Sequence, residues 1–323
     1  MSVRLGLCCL NTKLRDQKPP VFASRRMIVR TVLEQGVDVL KEKILQNLRD
    51  VITMIKWNEK HGIKVFRLSS ELFPHKTNPA IPDYTFDFAV PLLQEIGNLA
   101  RSLGHRLTFH PGQYNVVGTP DPARFKQTSD DLEYHATVLD IMGMGDDSVM
   151  VVHAGGLYGD KEATKERWCK QFMDLPDCVR RRLVLENCEH AFHVQDCLDV
   201  SAKIGIPVVF DTHHHECYRL LHKEEQLGEG GEYMEAVLET WRKRSIKPKF
   251  HVSEQGAGRT GHHSDFVEVI PEYLLEIPTK YGVSIDIMIE AKLKEQAVLK
   301  LMRKYGSKVG CKRDWRKRLV LVD

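Results

Sequence analysis

Residues 183–215 hold two short runs, Leu183-Val184-Leu185-Glu186 and Val208-Val209-Phe210-Asp211-Thr212-His213-His214-His215. Each starts as an apolar, β-rich segment that runs into a carboxylate, Glu186 or Asp211. Between them Asp196–Lys203 has the spacing of an amphipathic helix, with Gly205 placed to end it. A strand, a helix and a second strand within such a short span is a β/α unit, which needs roughly 30 residues or more.

The unit recurs in both directions. Strand candidates are Val3–Leu7, Lys64–Leu68, Arg106–Phe109, Ser148–Val152, Leu183–Leu185, Val208–Phe210, Lys249–Val252 and Ser284–Ile289. Helical patterns separate most of them: Leu40–His61, with Ile44, Leu48, Val51, Ile52 and Ile55 on one stripe, then Phe86–Leu103, Ser129–Met142 and Glu232–Arg244. Eight alternations in 323 residues predict an α/β protein with a single (β/α)8 TIM barrel. The rival, a doubly wound open sheet, is weakened because no G-x-G-x-x-G follows the first strand. No repeat or linker divides the chain, so one barrel domain is expected over residues 1–302. A basic tail is expected over 303–323, with nine Lys/Arg against two Asp between Lys300 and Asp323.

Composition sets the class. The chain is 42% hydrophobic and 28% charged, with 47 Lys+Arg against 44 Asp+Glu and a net charge of +3, which excludes disordered and fibrous classes. Eight Cys occur without a C-x-x-C pair, so neither a zinc ribbon nor a thioredoxin-like motif is predicted. Scattered thiols point to a reducing compartment, the cytoplasm or, in a eukaryote, the nucleus. The apolar start Leu5–Leu10 is too short for a signal or a membrane span, so no membrane association is expected.

What ends each strand points to chemistry. Thr108-Phe109 runs into His110, Val151-Val152 into His153, Val184-Leu185 into Glu186 and Val209-Phe210 into Asp211. Phe250 precedes His251, and Met288-Ile289 runs into Glu290. The gaps are 43, 33, 25, 40 and 39 residues, one β/α unit each. In an α/β barrel the C-terminal strand ends surround one pocket. Six imidazoles and carboxylates meeting there require cations, and mixed N and O ligands suit zinc or manganese. One of His213, His214 and His215, and one of His262 and His263, lie near the same rim. That is too many ligands for one tetrahedral ion, so a cluster of two or three metals is inferred. Lys249 and His251 are two apart and share a strand face; an ammonium beside metal ions must meet an anion or lose its charge. Gly155-Gly156 reads as a turn, with a phosphate cradle as the alternative, Asp130-Asp131 and Asp146-Asp147 as helix-end and loop charges, and Ser69-Ser70 lacks a nucleophile-elbow context.

These residues resemble the UV damage endonucleases, relatives of the endonuclease IV barrels. The resemblance rests on Arg4-Leu5-Gly6, Phe66-Arg67-Leu68-Ser69-Ser70, His110-Pro111-Gly112-Gln113-Tyr114, His153-Ala154-Gly155-Gly156, Leu185-Glu186-Asn187, Phe210-Asp211-Thr212-His213-His214, Pro248-Lys249-Phe250-His251 and Ile289-Glu290-Ala291-Lys292. It implies a monomeric enzyme that binds damaged double-stranded DNA, flips a damaged dinucleotide and cuts 5′ to it, leaving 3′-OH and 5′-phosphate ends. It also implies a three-metal centre, commonly manganese, with zinc or magnesium as alternatives. His110, His153 and Glu186 would serve one metal. Glu186 would bridge to a second held with Asp211, His251 and Glu290, and His214 and His263 would serve the third. Catalysis would rest on Glu186, Lys249, His251 and Glu290, with Lys249 carbamylated. Gln113 and Tyr114 would probe the duplex and fill the gap left by the flipped bases. Asn11 is retained as a DNA contact. Leu7 stands where some relatives carry an aromatic, and His75 stands near the position of a further metal-site His. Rival functions are a metal-dependent sugar isomerase on the same barrel and an apurinic-site endonuclease.

Overall fold

The structure, a computed structural model, describes residues 1–310. Eight strands form: β1 (Val3–Cys8), β2 (Val65–Arg67), β3 (Arg106–Thr108), β4 (Met150–His153), β5 (Leu183–Glu186), β6 (Val208–Asp211), β7 (Lys249–Val252) and β8 (Ile285–Ile289). Every pairing is parallel, in the order β3-β2-β1-β8-β7-β6-β5-β4. The isolated parallel bridge Phe109↔Met150 joins the two ends, and this closes the predicted (β/α)8 barrel.

The strands are buried on both faces, as their near-continuous apolar runs require. Their outward side chains meet the surrounding helices in one hydrophobic core that includes Leu5, Ile55, Val151, Leu185, Phe250 and Ile287. The helix Val37–His61 places its predicted stripe in that core and ends at Gly62 in the left-handed conformation (φ +78°). The pattern read as Ser129–Met142 is longer, running from Pro122 to Ile141 with Asp121 capping Ala123 N. Its buried side includes Thr128, Asp131 and His135, polar residues that hide the start of the helix from hydrophobic periodicity.

The barrel interior is charged. Arg106 on β3 reaches Asp286 on β8 at 2.9 Å, although the two strands are not neighbours, so this contact crosses the barrel. Arg4 and Lys247 reach the same carboxylate, each at 2.7 Å. Further along, Lys249 on β7 donates to Thr108 Oγ1 on β3 at 3.2 Å, again across the interior. The boundary expected at residue 302 falls within the helix Lys294–Tyr305, which is followed by a 3-10 turn, Gly306–Val309, with Val309 buried. The remainder of the expected tail, 311–323, lies outside the described residues.

Candidate metal centre at the C-terminal rim

Strands β3 to β8 each run into a His or carboxylate as the apolar run ends, and four imidazoles gather around Glu186. His110 Nε2 lies 3.0 Å and His153 Nε2 3.4 Å from Glu186 Oε2. His251 Nδ1 lies 2.6 Å and His214 Nδ1 3.8 Å from Oε1. Two sets of candidate ligands therefore form, His110–Glu186–His251 and His153–Glu186–His214, with all ligand atoms of a set within 4.8 Å of one another. Glu186 belongs to both. This grouping cuts across the partition that the resemblance implies, where His110 and His153 share a metal. A third set, His222–Glu224–Glu225, is on the surface and away from the strand ends.

Glu290 extends the cluster. Its Oε1 pairs with Arg67 and lies 3.3 Å from His251 Nδ1, and its Oε2 is 4.0 Å from His263 Nε2. His263 is brought in by an antiparallel bridge, Gln255↔His263. Asp211 caps the helix Thr212–Leu221 by accepting His214 N–H at 2.8 Å, and its own N–H donates to Asn187 Oδ1 at 2.8 Å. This selects His214 from the three consecutive histidines. His215 turns away to Gly228 O, and His213 lies against Cys217.

The electrostatics fit cations. Burial pushes the carboxyl of Asp211 up to about 7, and the charges of Glu186 and Glu290 add to this against the pull of His214. Glu186 and Glu290 are themselves held well below the carboxylate range. Burial opposes this, but His251 and His153 around Glu186, and Arg67 and His251 around Glu290, outweigh it. Burial lowers His153 and His251 to about 4, so both are neutral imidazoles with a free lone pair. His214 is raised to about 9, because Asp211, Glu186, Glu189 and Glu290 outweigh its burial. Asp211 Oδ2 and His251 Nε2 are buried with no hydrogen-bond partner among the described residues. Orphaned polar atoms of this kind call for an occupant, and a carboxylate oxygen and an imidazole nitrogen are both ligand atoms that suit a divalent ion. The residues fit the group that the sequence implies.

Lys249 is fully buried below His251, as strand parity requires. Burial first, then Arg67 and Arg106, lower its ammonium to about 7. The cluster opens into a cavity of about 410 Å³ lined by His110, Gln113, His153, Glu189, His214 and His263 among others. Tyr114 stands on the rim, 60% exposed, beside this opening. Gly112 makes room for it, since a Cβ there would lie 2.3 Å from the Tyr114 ring. Three expected contacts are placed elsewhere. Leu7 is fully buried in the hydrophobic core and offers DNA no surface. Asn11 is fully buried and caps Leu14 N at 3.0 Å. The His75 ring is held by Met27 O at 2.6 Å and Asn78 at 3.2 Å, outside all the ligand sets.

Sequence reasoning missed Arg67 and Glu189. Arg67 ends β2 and obeys the strand-end rule, but a cation there carries no metal-ligand signal in the sequence. Glu189 follows Glu186 in an irregular loop, where no periodicity marks its direction.

A family model described as UV-endonuclease UvdE matches residues 3–315. The chain belongs to the UV-endonuclease UvdE family. A protein of Acanthamoeba polyphaga mimivirus is 41% identical over 94% of this chain and 91% of its own. The UV-damage endonuclease of Schizosaccharomyces pombe is 38% identical over 94% of this chain and 50% of its own, so the chain spans about half of that relative. The crystal structure of SacUVDE superposes with a TM-score of 0.81 at 28% identity, covering 94% of this chain and 98% of the other. Endonuclease IV from Thermus thermophilus (TM-score 0.54) and a D-psicose 3-epimerase from Clostridium cellulolyticum (TM-score 0.50), both at 16% identity, share the barrel alone. Fold likeness thus extends to sugar enzymes as well as nucleases, and it is UvdE membership that makes this chain an endonuclease. Among the described residues no helix is long and apolar enough to cross a membrane.

Proposed function

We propose that this UvdE-family endonuclease hydrolyses the phosphodiester bond 5′ to UV photolesions in duplex DNA, leaving 3′-OH and 5′-phosphate ends. The observation that carries the reading is the position of Glu186. One buried carboxylate is shared by two ligand sets, and its partners His110, His153 and His214 line a cavity that Gln113 also lines, next to an exposed Tyr114. His110, His153, Glu186, Asp211, His214, His251, His263 and Glu290 would hold divalent metal, with manganese the expected ion and three the expected number. Bound there, the ions supply Lewis acidity that neutralises phosphate charge and lowers the pKa of water.

The chain's own residues do the remaining work. Glu186 fixes the spacing of the two ligand sets. Arg67 occupies one oxygen of Glu290 and leaves Oε2 for a metal. Lys249, as a carbamate, would turn a buried cation into an anion facing the cluster. Gln113 and Tyr114 take the place of extruded bases, and extrusion costs less at a distorted lesion than in intact duplex, which favours damage. The test is incubation with manganese and an end-labelled duplex carrying one cyclobutane dimer, alongside an apurinic-site duplex and a set of aldoses. A nick 5′ to the dimer is expected. Turnover of a sugar, or incision confined to the apurinic site, would reject the reading.

A further inference from the structure

Among the described residues, Tyr114 and Tyr158 are the two exposed aromatic side chains. Both lie on loops that leave the C-terminal ends of adjacent barrel strands, Tyr114 after β3 and Tyr158 after β4. Nothing in the mechanism above uses Tyr158. The geometry points to a second base-contacting element: we propose that Leu157-Tyr158 forms a platform on which a nucleobase extruded from damaged duplex stacks, distinct from Gln113-Tyr114. This rests on the reading that the rim takes lesion-bearing duplex DNA.

Four observations carry it. First, the loop is part of the cavity wall: Gly155 and Gly156 line the cavity together with His153 and Gln113. Gly155, at φ +97°, lets this loop close on the Gln113-Tyr114 loop, for a Cβ there would lie 2.5 Å from Val116 Cγ1. Second, the Tyr158 ring folds back over this wall, since a Cβ on Gly156 would meet its Cζ at 3.5 Å. Third, the ring is backed by a cation. Arg167 Cζ lies 5.6 Å from the ring centroid, and the guanidinium is fixed by Gly118 O and Thr164 Oγ1, each at 2.8 Å. An aromatic face beside an arginine is the pairing that single-stranded nucleic acid binds. Tyr158 remains 42% exposed and its neighbour Leu157 37%, so the platform is not spent on packing.

Fourth, Tyr158 adopts φ +50°, in the left-handed region. A bulky residue is a conformational outlier there, and Gly159 beside it shows how such a turn is made without strain. A half-exposed ring gains too little burial to explain its place in such a turn. A strained residue at the edge of a site suggests a role in that site.

The test uses Tyr158→Phe, Tyr158→Ala and Tyr158→Gly in the full, manganese-loaded chain. Binding is measured at fixed salt to a duplex with one cyclobutane dimer and to the undamaged duplex. Incision kinetics and melting temperature are measured on the same preparations. The phenylalanine variant should bind like wild type. The alanine and glycine variants should bind the lesion duplex roughly 5- to 100-fold more weakly, the loss of about one stacked base, with KM raised more than kcat is lowered. The undamaged duplex, which extrudes no base, should be bound as by wild type. The glycine variant should melt no lower than wild type, because it relieves the left-handed backbone. A stable glycine variant with wild-type lesion affinity overturns the proposal and leaves Tyr158 a turn residue. Equal losses on damaged and undamaged duplex overturn it as well. If the wild type loads manganese but neither binds nor incises the lesion duplex, the fault lies with the proposed substrate and not with Tyr158.

Discussion

Tyr114 donates its phenolic hydroxyl to Oδ1 of Asp131 at 3.2 Å, so an exposed ring is tethered at its far end to a buried carboxylate. The same carboxylate accepts Asn115 Nδ2 at 2.7 Å and Thr77 Oγ1 at 3.0 Å, which ties the loops after β2 and β3 to one helix. A wedge that must replace extruded bases gains from being held in place before DNA arrives, because less side-chain freedom is lost on binding. Tyr114→Ala should weaken lesion-duplex binding by roughly one to two orders of magnitude, the loss of one aromatic stack. Tyr114→Phe keeps the ring and loses only the tether, and about 0.5–1.5 kcal/mol is typical for one such bond. Metal content should be unchanged in both. A melting-temperature drop in Tyr114→Ala without loss of lesion affinity would make Tyr114 a packing residue.

Asp131 also shows where the sequence stops being legible. Read beside Asp130 it looks like a surface charge at a helix end, yet the helix begins earlier, at Pro122, and Asp131 faces inward. The first buried residues of that helix, Thr128 and Asp131, are polar, so the buried apolar signal begins only at Leu132. The strand ends were legible for the opposite reason. A strand buried on both faces reads as an unbroken apolar run, and a His or carboxylate at its end stands out. Register and rotamer were not legible: that Glu186 faces four imidazoles, and that Leu7 packs into the core, depends on barrel closure and side-chain direction.

Glu186 is the residue whose loss should undo the site. Glu186→Gln keeps the shape and removes the negative charge that His110, His153, His214 and His251 surround. The melting temperature of the metal-free protein should change little, since among the described residues no cation other than the histidines is paired with it. Manganese stoichiometry, read by electron paramagnetic resonance, should fall, and incision should be lost almost completely. Full metal content with wild-type incision would remove Glu186 from the bridging role.

Lys249 has one hydrogen bond, to Thr108 Oγ1, and no carboxylate within ion-pair distance among the described residues. A fully buried ammonium in that setting is costly, and conversion to a carbamate removes the cation. In that step the ammonium first gives one proton to solvent, the neutral Nζ attacks the carbon of CO2, an N–C bond forms as one C=O π pair moves to oxygen, and a second N–H proton leaves to solvent. Protein loaded with 13C-bicarbonate should give a carbamate carbon resonance that Lys249→Arg lacks. Depleting CO2 should lower incision in wild type and restoring bicarbonate should recover it, with neither effect in the variant. No labelled resonance, together with activity indifferent to CO2, would leave Lys249 an unmodified amine.

Asp286 makes a prediction about stability that is independent of the metal site. Burial would raise its carboxyl, but the hydrogen bond from Arg4 and the charges of Arg106 and Lys247 outweigh this and hold it well below the usual range. Asp286→Asn leaves those cations inside or at the mouth of the barrel without the carboxylate that pairs them. Breaking a buried pair by removing one partner typically costs about 3–5 kcal/mol. The lower end applies here, because Arg4 and Lys247 keep side-chain exposures of 28% and 24% and water can reach them. The sign of the pH dependence follows from the depressed carboxyl. Its contribution is fully present above the unfolded value of about 3.9 and is lost as pH falls through the lower folded value. The difference in urea-unfolding free energy between wild type and Asp286→Asn should therefore be flat from neutral pH down to about 5 and narrow below about 4. Groups common to both proteins cancel in that difference, the histidines of the rim included. A gap that stays constant down to the acid limit of folding would mean that Asp286 acts through shape and not through charge.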